Sequence, residues 1–186
     1  MFFINLLLSM VPDKVVRGTA DAFTEFYRVY LPKVFRYISY KVSDVHLAED
    51  LTSTVFEKAL TKFKSYDEKK AAFATWVFRI ARNTVIDHFR VSSRQRTVTL
   101  DEMTAEPPAE GTPEDAVVEK EESAALRQCL LKLTDREREI VQLKFSGELN
   151  NRQIAGIVGL SDSNVGVILY RAVRKLRAEY AGLRNG

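Results

Sequence analysis

Ser163, Asn164, Val167, Tyr170, Arg171 and Arg174 lie within twelve residues of one another near the C-terminus. These residue types suit recognition of a polyanion better than catalysis. Amides and hydroxyls bond base edges, and guanidinium groups hold phosphates. Wound as a helix, the segment carries Val165, Leu169, Ala172 and Leu176 at i, i+4, i+7 and i+11. That spacing is one apolar stripe, and the six polar or exposed positions take the opposite face. Elsewhere the chain offers no Ser/His/Asp order, glycine-rich phosphate loop or paired-carboxylate pattern. His46 and His88 have no partner at metal-ligand spacing. No catalytic, cofactor-binding or metal-binding residue is therefore assigned.

The elements that would position this face are legible around it. Thr134 and Glu137 make a capping box at the start of a first helix. Ile140, Val141, Leu143 and Phe145 supply that helix with an apolar face. Ile154, Ala155 and Val158 do the same for a second helix. Gly159 stands where a left-handed residue ends a helix, and Ser161 where a hydroxyl caps the next. Three short helices with a tight turn before the third describe a helix-turn-helix, which presents its last helix to a DNA major groove.

A second block precedes it, read as four helices. The first runs from Ala20 to about Tyr30 with Phe23, Phe26 and Tyr27 inward. Pro32 opens the next, through Val34, Tyr37, Ile38 and Val42. The third starts near His46 and carries Leu47, Leu51, Val55, Phe56 and Leu60, with Asp50, Ser53, Thr54, Glu57 and Lys58 on its polar side. A polar loop, Lys64 to Ala72, leads into the last, Phe73 to about Val91. That last helix mixes Arg79, Arg82 and Arg90, then Arg94 and Arg96, with Phe73, Trp76, Phe78 and Phe89. Cations neutralise phosphates and aromatic faces stack on unpaired bases. The spacing nevertheless sends most of Phe73, Trp76, Ile80 and Phe89 to the core.

Charge divides the chain further. The net charge is +3, but nine of 25 acidic residues and one of 28 basic residues fall between Asp101 and Ala125. That segment carries −8 and the rest +11, which fits a basic body with a polyanion partner joined by an extended, self-repelling tether. Three of the five prolines lie there. Val98, Thr99 and Leu100 form a short extended piece at most. The lone Cys129, set among leucines, reads as a buried small apolar residue and excludes an internal disulfide. The apolar start, MFFINLLLSM, lacks a signal peptide's basic end and cleavage site and is too short to cross a bilayer. A short docking helix and an extension upstream of a start at Met10 are both open, and no targeting role is assigned.

Three segments carry a family resemblance. AEDLTSTVFEKAL (48–60), FATWVFRIARNTVIDHFR (73–90) and LTDREREIVQLKF (133–145) resemble, in order, regions 2.2, 2.3–2.4 and the opening of region 4 of extracytoplasmic-function sigma factors of the sigma-70 family. The resemblance covers about Asp21 to Tyr180. It implies an all-α chain of two small helical domains on a flexible acidic linker: an N-terminal extension 1–18, a region 2 domain 19–96, the linker 97–122 and a region 4 domain 123–186. It implies a non-enzymatic bacterial cytoplasmic factor that binds core RNA polymerase and promoter DNA and takes no small-molecule substrate. An anti-sigma factor would hold it in check, near the membrane.

The same resemblance distributes the residues. Asp50, Leu51, Ser53, Thr54 and Phe56 would dock on polymerase, with Ser53-Thr54 replacing the family's Gln-Glu. Lys64, Ser65, Tyr66, Lys69 and Lys70 in the loop, with Arg79, Asn83, Asp87 and Arg90 on the helix, would open the minus-10 element and hold a flipped base. Ser163, Asn164, Val167, Tyr170, Arg171 and Arg174 would read the minus-35 element. The last helix, SDSNVGVILYRAVRKL (161–176), has Gly166, Val167 and Ile168 where the family commonly has Lys, Ser and Arg. Base contacts are thereby expected at Ser163, Asn164 and Val167, the valine suiting a thymine methyl, with Arg171 and Arg174 on phosphates. The alternative reading is a stand-alone helix-turn-helix regulator; a third is a sigma mimic that binds a regulator without starting transcription.

Overall fold

A computed structural model describes residues 17–42, 44–95, 125–126 and 128–184. The apolar start, the acidic connector, Val98 to Leu100 and Arg96 lie outside the described residues, as does the side chain of Arg94. Among the described residues all regular structure is helical. The chain separates into two compact units, Met1–Ala105 and Glu106–Gly186.

The first unit is built on three long helices: α1 (Arg17–Ser39), α2 (Val45–Lys62) and α3 (Phe73–Gln95), with a 3-10 turn at Phe63–Ser65. All three pack on one another. Val34, Tyr37 and Ile38 of α1, Val55, Phe56 and Ala59 of α2, and Val77, Phe78 and Ala81 of α3 are fully enclosed. Alanines at 48, 59, 74 and 81 bring the helix backbones close, and aromatic edges fill the remaining space. Tyr37 meets Phe78 at 5.5 Å between ring centroids and Tyr27 meets Phe56 at 4.8 Å, both edge-on. Burial of the Tyr27 ring raises its hydroxyl pKa.

One sequence expectation fails here. Pro32 does not open a new helix; α1 runs through it. The proline is exposed, so its ring faces water, and it leaves the Arg28 carbonyl without its N–H partner in the helix. The apolar residues on either side share one inward stripe whose burial outweighs one lost hydrogen bond. α2 opens on a side-chain cap. Asp44 Oδ1 accepts from the His46 and Leu47 backbone N–H groups at 2.7 and 3.2 Å.

The second unit contains α4 (Asp135–Phe145), α5 (Asn151–Val158) and α6 (Asp162–Arg184), preceded by a helical turn at 128–131. Thr134 and Glu137 form the expected capping box. A second box, Asn150 with Gln153, opens α5. Gly159 ends α5 at φ +72°, in the left-handed region, and Ser161 Oγ accepts from the Asn164 N–H at 3.2 Å. Leu133, Val141 and Ala172 form a core with Leu130, Leu169 and Leu176 packed against it. Cys129 is buried as expected, and burial pushes its thiol pKa up, disfavouring the reactive thiolate. Phe145 is a correction: it is 59% exposed. It sits at the last residue of α4 with its ring turned outward, while Ser146 and Gly147 of the following turn are buried. The third helix is also long rather than short, at 23 residues.

Glu137 ties α4 to the recognition helix. Its carboxylate accepts from Lys175 Nζ at 2.7 and 2.9 Å and from the Thr134 N–H at 3.0 Å. The Lys175 hydrogen bond, then that from Thr134, holds its pKa below the usual glutamate range. A lowered folded-state pKa means stability that is fully present above the ordinary value of about 4.3 and is lost as pH falls through the lowered one. Glu137→Ala removes a cap and a half-exposed ion pair. It should cost about 1–2 kcal/mol at pH 7 in urea unfolding, and the difference should vanish in acid.

Candidate nucleic-acid interface

The recognition helix is aimed by its two ends. Left-handed Gly159 and the Ser161 cap fix where α6 begins, and Val165 and Ala172, both fully buried, fix its rotation. Ser163, Asn164, Val167, Tyr170, Arg171 and Arg174 are consequently all exposed. The structure brings together all six residues that the sequence assigned to this face. The Arg174 guanidinium lies 5.8 Å from the centre of the Tyr170 ring, a cation–π contact that limits where the charge can swing.

Gly166 sits among them without an internal reason. Its φ is not positive, and a Cβ there would meet only Asn151 Nδ2, at 3.5 Å. Gly166→Ala should therefore stabilise the chain by about 0.5–1 kcal/mol, read as a raised urea midpoint.

In the first unit, Arg79, Asn83, Asp87 and Arg90 are exposed along α3 at i, i+4, i+8 and i+11, one face of the helix. Arg90 Nη2 lies 3.1 Å from Asp87 Oδ1, with both side chains more than half exposed. Such a pair contributes little and is readily exchanged for a phosphate. Phe89 departs from expectation: it is 46% exposed, beside Ile86 and Val91 at 44% and 53%. Val85 is the last buried residue of α3 among the described side chains, and the apolar residues just beyond it are half exposed.

The loop before α3 is organised by its aromatics. Tyr66 stands 5.0 Å from Trp76 and 5.6 Å from Phe73 between ring centroids, and its hydroxyl donates to the Ala71 carbonyl at 3.1 Å. Burial, then the nearby charge of Glu68, raises its pKa. Asp67 Oδ1 accepts from the Lys69 N–H at 3.0 Å, and its other oxygen lies 3.8 Å from Lys70 Nζ. The Ser65 hydroxyl donates to the Lys62 carbonyl. Lys64, Lys69 and Lys70 are thus presented as exposed cations, while Ser65 and Tyr66 have their hydroxyls engaged in shaping the loop.

The docking set on α2 divides in the same way. Asp50 is exposed and Ser53 and Thr54 are half-buried, with the Thr54 hydroxyl donating to the Asp50 carbonyl. Leu51 is 7% exposed and Phe56 fully enclosed. Both belong to the core here, because the apolar stripe that carries the family resemblance is the stripe that packs on α1 and α3. Lys58, read as outward, donates to Thr84 Oγ1 of α3 at 3.1 Å. The Glu137–Lys175 pair has no local sequence signal, because 38 residues separate its members.

Comparison with known proteins identifies the family of both units. Residues 26–95 match the family described as Sigma-70 region 2, and residues 123–176 match Sigma-70, region 4. The ECF RNA polymerase sigma factor SigW of Bacillus subtilis (strain 168) is 31% identical over 180 residues, spanning 91% of this chain and 95% of SigW. The ECF RNA polymerase sigma factor BldN of Streptomyces coelicolor is 37% identical over 164 residues, 88% of this chain; the match spans 62% of BldN's own length. In fold, the chain is similar to the sigma factor RpoE solved with the anti-sigma factor NepR from Bartonella quintana. The TM-score is 0.69 at 21% identity, over 85% of this chain and 96% of that one.

Proposed function

The chain belongs to the extracytoplasmic-function RNA polymerase sigma factors of the sigma-70 family, and on that premise we propose how its surfaces divide the work of initiation. The protein binds core RNA polymerase and directs it to promoters. One observation carries the division: each unit turns outward a polar helix face that holds arginines at helical spacing, Arg79, Asn83, Asp87 and Arg90 on α3 in the first and Ser163, Asn164, Arg171 and Arg174 on α6 in the second. In this reading the region 4 unit holds the minus-35 duplex through Ser163, Asn164, Val167, Tyr170, Arg171 and Arg174. The region 2 unit takes the minus-10 element on Lys64, Lys69, Lys70, Arg79, Asn83, Asp87 and Arg90. Ser65 and Tyr66 shape the loop that receives an unstacked base, and unstacking costs a few kcal/mol that the pocket and polymerase contacts offset. Asp50, Ser53 and Thr54 form the polymerase-docking surface, which Leu51 and Phe56 support from beneath.

The units and their boundaries follow the same scheme: region 2 over 19–96, the acidic linker over 97–122 and region 4 over 123–186, with 1–18 as an extension. The factor performs no catalysis of its own and serves a stress- or signal-responsive set of promoters in the cytoplasm. Among the described residues no helix is long and apolar enough to cross a membrane. An anti-sigma factor is the regulator we assign to it, supported by a solved sigma factor of similar fold that carries one. Run-off transcription with purified core polymerase on a genomic fragment library tests the reading. Transcripts with defined starts should appear only when the protein is added. No transcript from any fragment would replace this reading with a stand-alone regulator or a sigma mimic.

A further inference from the structure

Val167 is the one apolar side chain set centrally in the polar face of α6. Ser163 and Asn164 lie one turn before it, and Tyr170 and Arg171 one turn after. It is 49% exposed, so it contributes little to the core, and a β-branched residue is a mediocre helix former at a solvent position. It falls in the first half of α6, the part of a recognition helix that reaches base edges, while the arginines follow further along. Gly166 beside it leaves the backbone bare on its flank, a bareness that neither φ nor internal packing requires. Val167 has no hydrogen-bonding group, which excludes it from reading donors or acceptors. The major groove presents one apolar feature to such a side chain, the C5-methyl of thymine.

We propose that Val167 specifies a thymine in the minus-35 element by packing its γ-methyls on the thymine C5-methyl. The proposal rests on the assignment of α6 to that element. It adds that one position there is read by the presence of a methyl group rather than by hydrogen bonding, between positions read by Ser163 and Asn164. Guanine, adenine and cytosine all lack that methyl and leave the valine against polar edges.

The test uses holoenzyme made from core polymerase and the full chain. Promoter duplexes are first enriched from a library randomised across the minus-35 element. Each thymine of the enriched element is then replaced singly by deoxyuridine, which removes the methyl and nothing else. At one position the wild-type holoenzyme should bind the deoxyuridine duplex about fourfold more weakly, the effect of losing one buried methyl. Val167→Ala withdraws both γ-methyls at an exposed site that tolerates alanine, and its ratio at that position should fall to about one. Equal binding of thymine and deoxyuridine at every position overturns the proposal. So does discrimination that persists undiminished in Val167→Ala. In either case Arg171→Ala still weakens binding if α6 is the minus-35 reader. No enriched sequence, together with no effect of Arg171→Ala, shows instead that the assignment of α6 itself has failed.

Discussion

Replacing Arg171 and Arg174 together by alanine should weaken holoenzyme binding to promoter duplex about thirtyfold and flatten its salt dependence. Both residues are exposed on α6 and neither supports the core, so the melting of the protein should not move. The magnitude comes from about 1 kcal/mol for each lost phosphate contact near physiological salt. The more diagnostic quantity is the slope. Each phosphate neutralised on B-form DNA releases counterions worth about 0.9 in the slope of log K against log salt, so the double variant should lose about 1.8. The loss should be similar on every promoter, because phosphates carry no sequence. Asn164→Ala should behave differently, altering preference at one or two minus-35 positions while leaving the slope unchanged. An affinity loss without a change in slope would move the arginines from phosphates to base edges. No loss at all would remove α6 from the DNA.

The contrast between these two kinds of residue was readable in the sequence because it depends on local rules. Thr134 with Glu137, Gly159 and Ser161 each act over three or four residues, and all three features hold in the structure. They set the start and phase of α6, so the exposed face followed from counting. Asn150 with Gln153 obeys the same rule. What failed depended on contacts that a local pattern does not contain. Pro32 lies inside α1 because α2 and α3 bury the residues on both sides of it. Phe89 and Phe145 are expected inward, yet Phe89 is 46% exposed one turn past the buried Val85, and Phe145 is 59% exposed although Ser146 beside it is buried. Periodicity says which side of a helix is apolar, but not how far along it a neighbour extends. Lys175 illustrates the same limit in polar form, since its partner Glu137 belongs to another helix.

The motif on α2 is where this limit bears on function. A family signature mixes residues that touch a partner with residues that hold the touching ones in place, and resemblance alone does not separate them. Burial does. Phe56 has no exposed surface and its ring meets Tyr27 edge-on at 4.8 Å. Phe56→Ala should therefore cost about 3–5 kcal/mol, a large share of the roughly 5–15 kcal/mol that stabilises a domain of this size. The first unit should lose its cooperative urea transition or show it at much lower urea, and polymerase binding should fall with it. Phe56→Leu keeps most of the volume and should cost under about 2 kcal/mol. If Phe56 acts only through packing, the leucine variant, once folded, should bind core polymerase as the wild type does. Asp50→Ala should show the converse, an unchanged melt with weakened polymerase binding, because Asp50 is exposed and supports no core residue. A folded Phe56→Leu protein that fails to bind polymerase would require the ring itself to reach the partner. That would mean α2 opens on docking, since no part of Phe56 is accessible while the three helices remain packed.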